Sequence, residues 1–281
     1  MRLLFSTCAA LSLAWGAAAG DFSYVVLNGG ADRNSLVRVS ADGRSITTIA
    51  NEAGGYGLAK DHAGNYIVAA VNSLLKVTPS GSVSLIAKAP ADSQWMSVVE
   101  DAEGMFAVAD NRQHAIWRVS PDGKSVAKIW TYSAPTGGLE NTSLASDGHG
   151  NSLLLEDSHY VRLHRITPAG VATPIPLGRT ANFNSDLLVD AQGNYVFMNY
   201  HVGQMFRVTP AGEITPIGKV TPLVENMVGL AQDPGTGEYI MTVNFAHSLI
   251  RINLSGTSFT TIAYDQTYLS YPTAVIVETG K

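Results

Sequence analysis

The sequence predicts an all-β fold, a six-bladed β-propeller of four-stranded antiparallel blades closed by its own C-terminal strand. Three observations predict it. A short phrase recurs six times at near-even spacing. The runs between turn residues have strand character and no helical period. The first and last strands each lack a partner that the other can supply.

The recurring phrase is a pair of mostly apolar residues, a base, a β-branched residue and, after a turn, a glycine. It reads Leu36-Val37-Arg38-Val39 with Gly43, then Leu74-Leu75-Lys76-Val77 with Gly81. It returns as Ile116-Trp117-Arg118-Val119 with Gly123 and Leu163-His164-Arg165-Ile166 with Gly170. The last two are Met205-Phe206-Arg207-Val208 with Gly212 and Leu249-Ile250-Arg251-Ile252 with Gly256. The glycines stand 38, 42, 47, 42 and 44 residues apart, the length of one propeller blade. A second phrase places an acid and a glycine turn after an apolar run: Asp61 with Gly64, Asp101 with Gly104, Asp147 with Gly150, Asp190 with Gly193, Asp233 with Gly237.

Runs of four to six aliphatic, aromatic and β-branched residues bounded by Gly, Pro, Asp and Ser read as strands. Turns such as Ser120-Pro121-Asp122-Gly123 put Pro at a preset φ and Gly where φ is positive. One unit is therefore a four-stranded sheet with two faces to cover, and six must pack around an axis. Tyr24–Leu27 reads as the second strand of the first blade. Its inner strand is expected at the other end, as Thr273–Val277 followed by Glu278.

Residues 1–19 read as a signal peptide: Arg2, the apolar run Leu3–Trp15, then Ala17-Ala18-Ala19 before the expected cleavage site. Residues 20–281 form one propeller domain, expected to be secreted or periplasmic and monomeric. Cys8 is the single cysteine and lies in the leader, so disulfides and thiolate metal sites are excluded downstream. The chain has 46% hydrophobic and 15% charged residues, which excludes disorder. Its net charge of −5 argues against nucleic acid as a partner. Beyond the leader no apolar run is long enough for a membrane helix.

A base occurs in every third strand (Arg38, Lys76, Arg118, Arg165, Arg207, Arg251) and an acid closes every inner strand (Asp61, Asp101, Asp147, Asp190, Asp233, Glu278). Residues used by every blade are read as architecture, expected to pair within or between blades. Residues that differ between blades cluster before the inner strands and after the second strands, at one end of the channel. Tyr56, Trp95, Asn199, Asn244 and Tyr271 are candidate ligand contacts there, amides among aromatic walls. Asn141, Asn184 and Asn226 are candidate metal ligands, oxygen donors suited to Ca²⁺ or Mg²⁺ rather than Zn²⁺. Glu156, Asp110, His201 and His247 are candidate catalytic groups. Many of these asparagines and acids equally suit plain turn roles. No phosphate-binding loop, serine elbow or His-Glu-x-x-His stretch is present.

The blade phrase resembles the NHL-type propellers. Arg165-Ile166-Thr167-Pro168-Ala169-Gly170 and Arg207-Val208-Thr209-Pro210-Ala211-Gly212 resemble the repeat of streptogramin lyases. Asn226 resembles a metal-ligand position of the senescence-marker/gluconolactonase family, with Asn141 and Asn184 placed equivalently. That family's glutamate before its first inner strand has no counterpart in Ser270-Tyr271-Pro272-Thr273. The resemblance implies an exported propeller binding a small organic molecule at the channel mouth, with lactone or ester hydrolysis assisted by a divalent cation. Two alternatives stand beside it: a non-catalytic NHL-type module that binds a protein partner, and a lyase or cyclisation catalyst using His201 or His247 as base.

Overall fold

The computed structural model describes residues 22–29, 34–132, 142–156, 161–177, 186–199, 202–221 and 227–279. Blade one begins with β1 (Phe22–Asn28), β2 (Ser35–Ser40) and β3 (Ile46–Asn51). Blade two is β4 (Gly57–Lys60), β5 (Tyr66–Ala69), β6 (Ser73–Val77) and β7 (Val83–Lys88). Blade three is β8 (Trp95–Glu100), β9 (Phe106–Asp110), β10 (Ala115–Val119) and β11 (Val126–Thr131). Blade four is β12 (Thr142–Ser146), β13 (Ser152–Glu156), β14 (Arg162–Ile166) and β15 (Ala172–Ile175). Blade five is β16 (Leu188–Val189), β17 (Tyr195–Asn199), β18 (Gln204–Val208) and β19 (Ile214–Lys219). Blade six is β20 (Met227–Gln232), β21 (Tyr239–Val243), β22 (Ser248–Ile252) and β23 (Phe259–Tyr264), and β24 (Pro272–Thr279) completes blade one.

The six sheets are antiparallel meanders, and blade one has the order β24-β1-β2-β3. β24 pairs with β1 from Phe22↔Thr279 to Asn28↔Pro272. The C-terminal strand therefore closes the ring as the sequence predicts, and no sheet edge is left open at the join.

The apolar core lies between blades. Six clusters of buried residues fill the six seams, each drawing on two neighbouring blades. The second strands β5, β9, β13, β17 and β21 are buried along their whole length because both faces meet a neighbour. This is why they read as continuous apolar runs rather than alternating ones. The outer strands face solvent with residues such as Thr47 and Thr48, and Thr260 and Thr261.

The repeated bases and acids form a clamp that works mostly across seams. In blade five, Arg207 Nε lies 3.1 Å from Asp190 of its own blade, and its Nη2 donates to the Tyr239 hydroxyl of blade six at 2.9 Å. Arg251 likewise pairs with Asp233 and reaches Tyr24, and Arg165 pairs with Asp147 and reaches Tyr195. Arg38 meets Glu278 and Tyr66, each at 2.8 Å. Two seams lack the tyrosine. The equivalent residue is Phe106 at the start of β9 and Ser152 at the start of β13. There the preceding blade supplies Lys76, or else Arg118, which turns to Asp101 and Glu103 of its own blade.

Glu278 is the hub of the closing seam. It accepts from Arg38, Lys60 and the Tyr66 hydroxyl. Burial would raise its pKa, but Lys60, Arg38 and Tyr66 outweigh that and hold it below the ordinary glutamate value. Tyr66, buried and donating to this carboxylate, is pushed up to about 12. Replacing Tyr66 by Phe removes both charge-assisted bonds, and urea unfolding is expected to show a loss of about 2 kcal/mol.

The glycine of each repeat has a second role besides its turn. At Gly123 φ is +69°, and a Cβ built there would run into the carbonyl of Ile86 on the outer strand of the preceding blade. The same approach recurs at Gly43, Gly81 and Gly170, so the spacing records a docking contact as well as a turn. Gly148 has a similar φ of +72° but open space around it. Both Gly→Ala changes therefore strain the backbone, but Gly123→Ala also forces a blade away from its neighbour. We expect it to lose at least about 1 kcal/mol more than Gly148→Ala by urea unfolding.

Candidate functional site

The six inner strands surround a central channel with a cavity of about 500 Å³. They approach one another closely, which restricts what they can carry. A Cβ at Gly57 would sit 2.6 Å from Cα of Ser97, and one at Gly229 would sit 2.7 Å from Cα of Ala274. Aligning each inner strand on its terminal acid puts Gly57, Ser97, Ser143, Asp186, Gly229 and Ala274 at equivalent positions. Five of the six are small.

The side chains at this position stitch neighbouring inner strands. The Leu144 N–H donates to Ser97 Oγ at 2.9 Å, and the Leu187 N–H donates to Ser143 Oγ at 2.9 Å. Asp186 continues the series by accepting the N–H of Leu230. It also accepts the Ser143 hydroxyl and its neighbour's N–H at Leu187, while its own N–H donates to Val228 O at 2.8 Å. Asp186 is thus a carboxylate where a serine hydroxyl makes the equivalent bond elsewhere.

Asp186 lines the cavity and is half-buried there. Burial pushes its carboxyl up to about 6, against the pull of the Ser143, Leu187 and Leu230 donors. It is therefore mostly ionised at pH 7 but changes charge just below. Ser143, Thr142 and Asn111 also line the cavity, the Thr142 hydroxyl donating to the Asn111 carbonyl oxygen.

Aromatic residues stand across the channel, on blades one, two and six. Tyr56 and Tyr271 line the cavity. Phe245, 63% exposed, meets Tyr271 edge-to-face with ring centroids 5.4 Å apart. Each of the exposed large aromatics among the described residues (Tyr56, Phe245, Tyr264 and Tyr268) belongs to a segment at the mouth end. Tyr271 is raised above the ordinary tyrosine value, first by burial and then by Tyr56.

Of the residues proposed from sequence, Tyr56, Asn244 and Tyr271 come together at the channel. Asn244 is buried and caps its own turn, its Oδ1 accepting the Phe245 N–H. The others fall elsewhere. Trp95 is fully buried in the seam between blades two and three, because its ring completes that apolar cluster. Asn199 is buried at the end of β17, where its Oδ1 accepts the Val202 N–H at 3.3 Å.

Asp110 is a framework carboxylate. Its Oδ1 accepts the N–H groups of Gln94, Arg112 and Gln113, and its Oδ2 accepts the Trp117 indole N–H at 3.0 Å. Burial would raise its pKa, but these bonds hold it below the ordinary aspartate value. Glu156 is buried beside His164, 3.2 Å from Nε2, and Trp130 packs against that histidine with its ring tilted by 50°. Burial first and Arg162 second hold His164 below the ordinary histidine value. His247 has a positive φ of 49° in the turn between β21 and β22, with Nδ1 3.1 Å from Leu269 O. His201, Asn141, Asn184 and Asn226 lie outside the described residues. Among the described residues no group of three His, Cys, Asp or Glu is placed to hold a metal.

No protein-family description matches this chain, and no curated protein does. Solved structures match its fold. Virginiamycin B lyase from Staphylococcus aureus is 20% identical over 78% of this chain and 72% of that one, with a TM-score of 0.58. A chain of a nidogen/laminin complex is 12% identical over 91% and 98%, with a TM-score of 0.71. A protein of unknown function from Bacteroides caccae is 13% identical over 92% and 98%, with a TM-score of 0.66.

The chain is a six-bladed β-propeller. At these identities the likeness is one of fold, and the partners and substrates of those proteins do not transfer with it.

The raised pKa of Asp186 sets the sign of a stability effect. Between about pH 4 and pH 6 the folded state keeps a proton that the unfolded chain releases, so this group's contribution to stability falls as pH rises. Asp186→Asn keeps the acceptor and removes the charge. Its stability relative to the parent is expected to improve from pH 4 to pH 7.5, by up to about 3 kcal/mol in urea unfolding, and to level off above. An unchanged difference across that range would show that Asp186 is not held in a dehydrated site.

Proposed function

We propose that this protein is an exported binding propeller that takes a small organic molecule into the mouth of its central channel. The observation that carries this reading is the channel itself. Its volume of about 500 Å³ suits a small ligand, and its wall mixes apolar side chains with a few convergent polar groups. The concentration of exposed aromatics at the mouth end supports it, because such a surface gains from being covered.

The catalytic readings find less support in the geometry. The carboxylates of Asp110 and Glu156 are tied into the framework, and neither residue lines the cavity. His247 is bound into a turn. The channel's described donors are one carboxylate that already accepts three protein donors, together with hydroxyls and amides. That set does not make a cage for Ca²⁺ or Mg²⁺, which want several free oxygens at once.

Filling the channel tests the reading. Val228→Trp places an indole in the cavity from β20 without touching the interblade clamps. Saturation-transfer NMR against a mixture of small aromatic and aliphatic compounds should give signals for the parent protein and none for this variant, with unchanged circular dichroism. Equal signals from both would place binding outside the channel.

A further inference from the structure

We infer that the channel takes a single unbranched alkyl or acyl chain, its polar head at the mouth beside Tyr56 and Tyr271 and its tail running down between the inner strands. This rests on the channel being a ligand site and goes on to name the ligand's chemical class.

The wall changes chemistry with depth. Counted back from the terminal acids, the tier of Ser97, Ser143 and Asp186 is small or polar, and Tyr56, Thr142 and Thr273 stand one residue nearer the mouth. The next tier down is Leu58, Val98, Leu144, Leu187, Leu230 and Val275, a branched aliphatic residue from every blade. All six line the cavity. The tier below continues in kind, with Leu188 and Ile276 in the wall. An aliphatic collar thus lies beneath a more polar mouth. Each collar side chain also packs into a seam, so the collar is preformed. The seams require apolar residues at this level, but they do not require the opening that runs past them.

The bore selects a chain over a compact body. Around the level of the small residues, neighbouring inner strands touch all the way round. Ser97 Oγ and the Leu144 N–H join blades three and four, and Ser143 Oγ and the Leu187 N–H join blades four and five, each at 2.9 Å. Asp186 meets the Leu230 N–H across the following seam. Gly57 against Ser97, and Gly229 against Ala274, approach more closely than a Cβ would allow. Between blades one and two, Thr273 Oγ1 donates to Gly55 O at 2.8 Å. The centre of a regular hexagon is as far from each corner as the corners are from one another, so six strands in contact leave a narrow bore. The cavity continues through it, from Tyr56 and Tyr271 at the mouth to Ser146 at the far end of β12. Thr142–Ser146 spans about 13 Å at ~3.3 Å per residue. A methylene chain fits such a passage, leaving water along its whole length while its head keeps its hydrogen bonds at the mouth. A ring system of the same carbon count is stopped at the neck.

The test titrates 1,2-hexanediol, 1,2-octanediol, 1,2-decanediol and cyclooctane-1,2-diol calorimetrically into the protein at pH 7.5. The heads are alike and uncharged, so only the shape and length of the hydrocarbon change. Each two added carbons should tighten binding about ten-fold. Octanediol should bind at least about ten-fold more tightly than its cyclic counterpart. Ser146→Trp places an indole at the exposed far end of the channel. In it the gain from octanediol to decanediol should shrink to about two-fold or less. Val189→Phe narrows the same end from blade five and serves as a second variant should the first fold poorly. Equal binding of the linear and cyclic diols, or a decanediol gain that persists in both variants, would overturn the chain inference and leave the channel as a ligand site. The same follows if the diols give no heat while the fragment experiment is positive. Silence in both experiments would remove the site itself.

Discussion

The contact between neighbouring blades is the constraint on which this molecule depends. A four-stranded sheet with two apolar faces cannot stand alone in water, and each seam buries one face from each of two blades. Burial alone does not fix how far one blade slides against the next. The arginine clamps do so, because a guanidinium held by its own blade's acid has only one direction in which to meet the next blade's tyrosine. The turn glycines act at the outer rim in the same sense, letting each blade's backbone seat against the outer strand before it. The two devices lie at different radii, so together they resist sliding and rotation.

The seams without tyrosine show what the clamp replaces. Between blades two and three, Trp95, Phe106 and Trp117 fill the cluster, and the Trp117 indole is fixed by Asp110. Between blades three and four, Trp130 packs tilted against His164, which meets Glu156, and Tyr132 joins the cluster with its hydroxyl fixed on Asp110 O of its own blade at 3.0 Å. Aromatic bulk fills these two seams where a guanidinium-to-tyrosine hydrogen bond crosses each of the other four. Asp110 and Glu156 vary between blades for that reason, and such variation resembles a functional signal when only the sequence is read.

The fold was legible because its causes repeat. Positive-φ glycines, strand-ending acids and third-strand bases recur at one spacing, and each repetition strengthens the inference from the others. The partnership of those bases with tyrosines was not visible, since it joins residues about thirty positions apart in different blades. The site was legible only in part. Tyr56, Asn244 and Tyr271 were found because they stand just outside strands, whereas Trp95 opens β8 and is drawn into a seam by its size. Asp186 was missed because it looks like one more polar residue of the loop before β16. The available signal was its alignment with Gly57, Ser97, Ser143, Gly229 and Ala274, among which a carboxylate is the exception.

That exception bears on why the channel should bind anything. A serine at position 186 could accept the Leu230 N–H, as Ser97 and Ser143 accept their neighbours' N–H groups. The stitch therefore explains an acceptor but not a charge. Ionising a carboxyl there works against folding, as its displacement to about 6 records. What it does alter is the field inside the channel, whose wall also carries Tyr56 and Tyr271. A cost of this kind, borne by one blade of six, marks the channel as the place where the ring departs from its own repeat.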